Sequence, residues 1–243
     1  MTGLLGNRYV PITFTIGFIE MPYDVVYEAF LRWQRDELGK TVSIRTFDAS
    51  LEKAIAALLP LTGHLCRTLI INTHSKWTAA FDNGIHGAGC EWVSYLCRVI
   101  KCRALLTACI PNTQCGCGPY DTKRGTYGSI RFSLYGPECM MHSENADIAL
   151  NGIRDIQAIN DGGSWDFLVG GKSLPFEEKN TYNARRIEER FTPEMLQNYC
   201  LAMGIDVFNA DFYGPQSCII DEGAMGYVKT IMTLEEVQRE MGM

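Results

Sequence analysis

The spacing of hydrophobic and polar positions changes several times along the chain, and each change predicts an element. From Pro11 to Ile19 the residues alternate and are rich in Ile, Thr and Phe, which predicts a strand. Pro22 suits a first helical turn. Val25, Val26, Tyr27, Phe30, Leu31, Trp33 and Leu38 then mark a broad apolar helical face that Gly39 ends. Val42 to Phe47 predicts a second strand. Asp48 or Ser50 can cap a helix carrying Leu51, Ile55, Leu58 and Leu59.

Arg67 to Thr73 and Trp77 to Phe81 predict two strands joined tightly at His74-Ser75-Lys76, with a turn at Asp82-Asn83-Gly84. A helix from Glu91 to Cys102, a buried strand from Ala104 to Ile110, a long loop from Pro111 to Tyr127 and a strand from Ser129 to Tyr135 follow. Asp155 to Ile159 and Trp165 to Val169 predict a hairpin around Asp161-Gly162-Gly163. Thr192-Pro193-Glu194 starts a helix with Met195, Leu196, Tyr199, Cys200 and Met203 on its apolar face. Thr233, with Glu236 three residues on, starts the last one with a capping box. Helices and strands alternate early, and strands cluster later. The expected fold is α+β, a mixed or mainly antiparallel sheet with helices packed on it, in a single globular domain over residues 1–243 that could divide near Glu138.

Composition narrows the function classes. The net charge of −6 argues against a general nucleic-acid binder, which needs a basic face for phosphates. No apolar run is long enough to cross a bilayer, and the first residues lack a signal peptide's charged and apolar regions. The expected location is therefore the cytoplasm, where the ten cysteines would be reduced and, in apolar runs, serve as small core residues.

Candidate chemistry is sparse. Gly170-Gly171-Lys172-Ser173 resembles the end of a phosphate-binding loop, but that loop needs a glycine where Asp166 stands, and Leu174-Pro175 disfavours the helix that should follow. Cys115 and Cys117, with Cys102, Cys109 and His142 nearby in sequence, are candidate metal ligands, although the chain has no Cys-x-x-Cys pair. His86-Gly87-Ala88-Gly89-Cys90 places a histidine and a thiol at a helix start, where a thiolate would be favoured. Trp77, Asp82, Asn83, Asp211 and Tyr213 lie in compact aromatic and acidic phrases of the kind that anchor protein partners.

Trp77-Thr78-Ala79-Ala80-Phe81-Asp82-Asn83-Gly84, Tyr135-Gly136-Pro137-Glu138, Asn160-Asp161-Gly162-Gly163-Ser164-Trp165 and Arg190-Phe191-Thr192-Pro193-Glu194-Met195-Leu196 are similar to phrases in a poorly characterised group of bacterial cytosolic proteins. That group resembles immunity partners of toxins, and the resemblance spans roughly residues 42 to 214. It implies a protein that binds and occludes a toxin domain, with a protein partner, no cofactor and no catalytic residues. The alternative expectation is a thiol- or metal-dependent enzyme built on the His86/Cys90 or Cys115/Cys117 loop. A third is a homodimer with a structural or regulatory role.

Overall fold

A computed structural model describes residues 3–87, 89–114, 125–137, 153–162, 164–223 and 230–243. Cys115, Cys117 and the expected division near Glu138 fall outside these residues. Nine strands form one sheet. In chain order they are β1 (Thr15–Ile19), β2 (Ser43–Asp48), β4 (Arg67–Thr73), β5 (Thr78–Asp82), β6 (Ala104–Ile110), β7 (Ser129–Tyr135), β8 (Arg154–Asn160), β9 (Trp165–Gly171) and β10 (Tyr213–Asp221). Their spatial order is β2-β10-β4-β5-β1-β6-β7-β8-β9, and every neighbouring pair is antiparallel. The short strands β3 (Leu61–Thr62) and β11 (Ile231–Met232) form a separate pair. The α+β expectation holds, and the sheet is wholly antiparallel among the described strands.

The described residues also hold five α-helices: α1 (Tyr23–Arg32), α2 (Leu51–Leu58), α3 (Trp92–Val99), α4 (Pro193–Ala202) and α5 (Leu234–Glu240). Among the described residues none is long and apolar enough to cross a membrane. One face of the sheet packs Leu69, Ile71, Leu105 and Phe132 with residues of α2, α4 and α5. The other packs Ile70, Ala80, Ala104 and Leu106 with α1 and α3. Helices on both faces explain why β4 and β6 read as continuous apolar runs. In β7 the pattern returns to period two: Ile130, Phe132 and Leu134 are buried on the first face, and Arg131, Ser133 and Tyr135 lie on the second.

Two local devices set the geometry of the sheet, one near its centre and one at an edge. A Cβ added to Gly17 in β1 would stand 2.7 Å from Val93 Cγ1 and 2.8 Å from Cys90 Cβ, so α3 can press against the sheet only because residue 17 has no side chain. At the far end, Arg154 and Glu177 form a buried bidentate ion pair, with Nε–Oε1 and Nη2–Oε2 at 2.8 and 2.7 Å. Arg154 Nη1 also donates to the Gly170 and Gly171 carbonyls at 3.0 Å, which fastens the end of β9 to β8 and to the chain that follows.

The structure revises several sequence expectations. The strand expected from Pro11 begins only at Thr15. The expected turn at Asp82-Asn83-Gly84 is instead the end of β5 and a buried connection, and Gly84 has no positive φ. Ser50 stands at the start of α2 without a side-chain capping hydrogen bond. The capping box at Thr233 and Glu236 is present as expected.

Candidate functional site

Four of the five residues expected to face a partner are buried. Trp77 is 1% exposed, and its Nε1 donates to the Met203 carbonyl at 3.0 Å. Tyr213 packs beside Phe81 and Phe18 and donates its hydroxyl to the Val207 carbonyl at 3.2 Å. Asn83 is fully buried and joins three segments. Its Oδ1 accepts from the Cys66 and Arg67 backbone N–H groups, and its Nδ2 donates to the Pro60 carbonyl. Asp211 alone is exposed, in a turn closed by its N–H to Asn209 Oδ1. The reason is positional. β5 lies between β4 and β1, so Trp77, Phe81 and the neighbouring Phe18 and Tyr213 fill the core on one face of the sheet, and Ala80 packs on the other.

Asp82 does a different job from the one its turn-like sequence implied. It accepts from Thr68 Oγ1 at 2.6 Å and from the Cys90 backbone N–H at 2.5 Å. Burial holds its carboxyl above the ordinary range, and these hydrogen bonds oppose that rise. A Cβ on Gly89 would stand 2.7 Å from Asp82 Oδ2, so the loop can lie over the carboxylate only with glycine there. The loop from Ile85 to Cys90 is thereby tied to the sheet.

The expected histidine–thiol pairing does not form on this loop. His86 is exposed, whereas Cys90 is fully buried and donates its Sγ–H to the Ala80 carbonyl at 3.1 Å. Burial first, and the neighbouring Asp82 charge second, push the Cys90 thiol well above its usual range despite its place before α3. The seven described cysteines are all buried. Burial pushes Cys102 and Cys109 up to about 12 and Cys218 up to about 11. Among the described residues no group of three or more His, Cys, Asp or Glu side chains could hold a metal ion.

A concavity lies elsewhere, on a face the sequence did not reveal. A cleft of about 660 Å³ opens between α5, the Ile85–His86 loop and the stems of the loop that begins at Pro111. Phe14, Ile85, Ile110 and Val237 supply apolar walls, and Met232 and Met241 flank them. His86, Gln114, Thr126 and Glu240 supply the polar groups, and no lysine or arginine lines it among the described residues. Its position is set by side-chain and backbone hydrogen bonds between distant segments. Gln238 Nε2 donates to the carbonyls of Asn7, Arg8 and Val10. Thr113 Oγ1 donates to the Met241 carbonyl at 2.8 Å, and Gly125 N–H to the Glu240 carbonyl at 3.2 Å. Thr62 N–H donates to the Asn83 carbonyl and Ile85 N–H to the Thr62 carbonyl, which connects β3 and β11 to the opposite wall. Glu236 and Arg239, with exposed Ile231, continue the surface around α5.

A second polar constellation lies on β7 and β8. Arg131 donates to Glu91, Ser133 and Tyr135 at 2.8, 2.8 and 3.0 Å. Ser133 Oγ and Gln157 Nε2 donate to the two oxygens of buried Asp155. These groups satisfy one another, which makes the cluster a structural network on a sheet face that is polar on alternate positions.

Of the cleft residues, only His86 stood out in the sequence. Met232, Glu240, Met241 and Gln114 carry no motif, and their only sequence signal was the capping box that starts α5. No family model, no curated protein and no solved structure matches this chain.

Proposed function

We propose that this chain is a bacterial cytoplasmic protein-binding inhibitor, an immunity protein that neutralises a cognate toxin by occluding it, and that the toxin docks at the cleft beside α5. The cleft carries the reading. It combines apolar walls, two adaptable methionines and an acidic rim at Glu240, with no lysine or arginine on its lining among the described residues. An acidic rim on a chain of net charge −6 complements a basic toxin surface and speeds the encounter. Burial of Cys90 leaves the His86/Cys90 form of the thiol-enzyme alternative without an accessible thiol; Cys115 and Cys117 lie outside the described residues.

The experiment is co-expression with toxin domains encoded beside the gene. A stable complex, rescue of growth and loss of both in Glu240→Lys are expected. If no neighbouring product is bound or neutralised, the reading fails. If Glu240→Lys binds and rescues as well as wild type, the cleft is not the docking site.

A further inference from the structure

The sheet ends at β9, which pairs only with β8 among the described residues. Leu168 and Val169, on opposite faces of this edge, are 49% and 44% exposed. Natural edge strands are usually protected by charges within them, by proline or by a covering element. β9 has no proline and one charge, Asp166 near its start; from Phe167 to Gly171 it is uncharged, Lys172 follows it, and Tyr182 and Arg190 pack against the Phe167 ring.

Those flanking charges are placed symmetrically. Each lies three positions from Val169. If β9 pairs antiparallel with the β9 of a second copy about a two-fold axis at Val169, Asp166 opposes Lys172 at both ends. Leu168 opposes Gly170, and Phe167 opposes Gly171. Each large side chain then meets a glycine, the arrangement in which aromatic and aliphatic residues cover glycines across strands. Opposed residues also lie on the same face, as a continuous sheet requires, because their positions differ by an even number. Gly171 has a φ of +78° and turns the chain at the strand end, so the Asp166–Lys172 contacts sit at the rim of the pairing.

The other edge fails the same test. In β2 the opposite charges are Arg45 and Asp48, three positions apart and therefore on opposite faces, so a two-fold pairing cannot oppose them. Arg45 is also already engaged, with Nη2 donating to the Ala57 carbonyl at 3.0 Å.

We infer that two copies of this chain associate through β9, joining their sheets edge to edge about Val169. The partner is a second copy because size and charge complementarity coincide in a self-pairing register. None of these residues lines the cleft, so the association is independent of partner binding there. The contact is one strand wide, smaller than a standard stable interface, which makes the dimer concentration-dependent.

Sedimentation of the full chain over a concentration series tests this. Wild type is expected to shift from the 27.3 kDa monomer toward twice that mass as concentration rises. Val169→Lys should remain monomeric while keeping a wild-type circular dichroism spectrum. Asp166→Lys, which opposes like charges at both rims, should weaken association by about tenfold, and Asp166→Lys with Lys172→Asp should restore it. A wild-type chain that is monomeric at every concentration overturns the inference. So does a dimer that Val169→Lys leaves intact, or a double variant no stronger than Asp166→Lys.

Discussion

The two edges of the sheet are similar in length and opposite in character. β2 exposes Ser43, Arg45, Thr46 and Asp48, and Arg45 folds over the Phe47 ring and toward α2. β9 exposes Asp166 near its start and then Leu168 and Val169 in an uncharged stretch. Their anchoring also differs. The chain around β2 and its neighbour β10 is held by Lys40–Glu222 and Arg67–Asp221, pairs whose side chains keep between 20% and 29% of their exposure. The chain after β9 is held by Arg154–Glu177, whose side chains are 3% and 0% exposed. One edge is protected at its surface and anchored by solvated charges. The other is open at its surface and anchored from beneath. An edge left open for association needs firm internal anchoring, because its outer hydrogen-bonding groups contribute nothing to the fold until a second strand arrives.

The anchors separate the two edges most sharply. Glu177→Ala leaves the Arg154 guanidinium buried beside Gly170 and Gly171 without its counter-charge, and should cost about 3–5 kcal/mol in urea denaturation. A loss as small as that expected at the other edge would break the comparison. The sheet centre provides the next reference. Asp82→Ala removes the acceptor for Thr68 and Cys90 and should cost roughly 1–3 kcal/mol.

Asp82→Asn tests the same carboxylate through pH. The folded form takes up the Asp82 proton more readily than the unfolded form, because burial raises its pKa. Wild type should therefore gain stability relative to Asp82→Asn as pH falls through the raised folded value. The gain is complete below the unfolded value. Parallel denaturation curves at all pH values would contradict this.

At the β2 end, Glu222→Gln removes a half-solvated pair and should cost about 0.5–1 kcal/mol. The smallest stability effects are expected on the strands themselves. Val169→Lys on β9 and Thr46→Lys on β2 each replace exposed residues and should stay within about 0.5 kcal/mol of wild type. Only Val169→Lys should alter the mass in solution.

Individual elements differed in how much their residues disclosed. Thr233 and Glu236 announced α5 because a capping box is local chemistry, complete within four residues. The β4–β5 and β8–β9 hairpins were legible for the same reason, since each turn joins neighbours in sequence. Trp77 and Tyr213 were misjudged because alternation along a strand shows its pleat and not its place in the sheet. The same pattern fits an edge residue facing a partner and a central residue facing the core. Asp82 and Asn83 carried a turn signature, yet they satisfy backbone N–H groups of Cys90, Cys66 and Arg67 that only long-range folding brings near.

By itself, then, the sequence indicated the type of most elements and the α+β class with a mixed or mainly antiparallel sheet, because periodicity and capping act over a few residues; it did not disclose the strand β10 or the short pair β3 and β11. The tertiary structure alone decided that β10 lies between β2 and β4, which strands form the edges, and that Phe14, His86, Gln114 and Glu240 surround one cleft. Those outcomes depend on contacts between segments far apart in the chain, and burial assigns each residue its role only once such contacts exist.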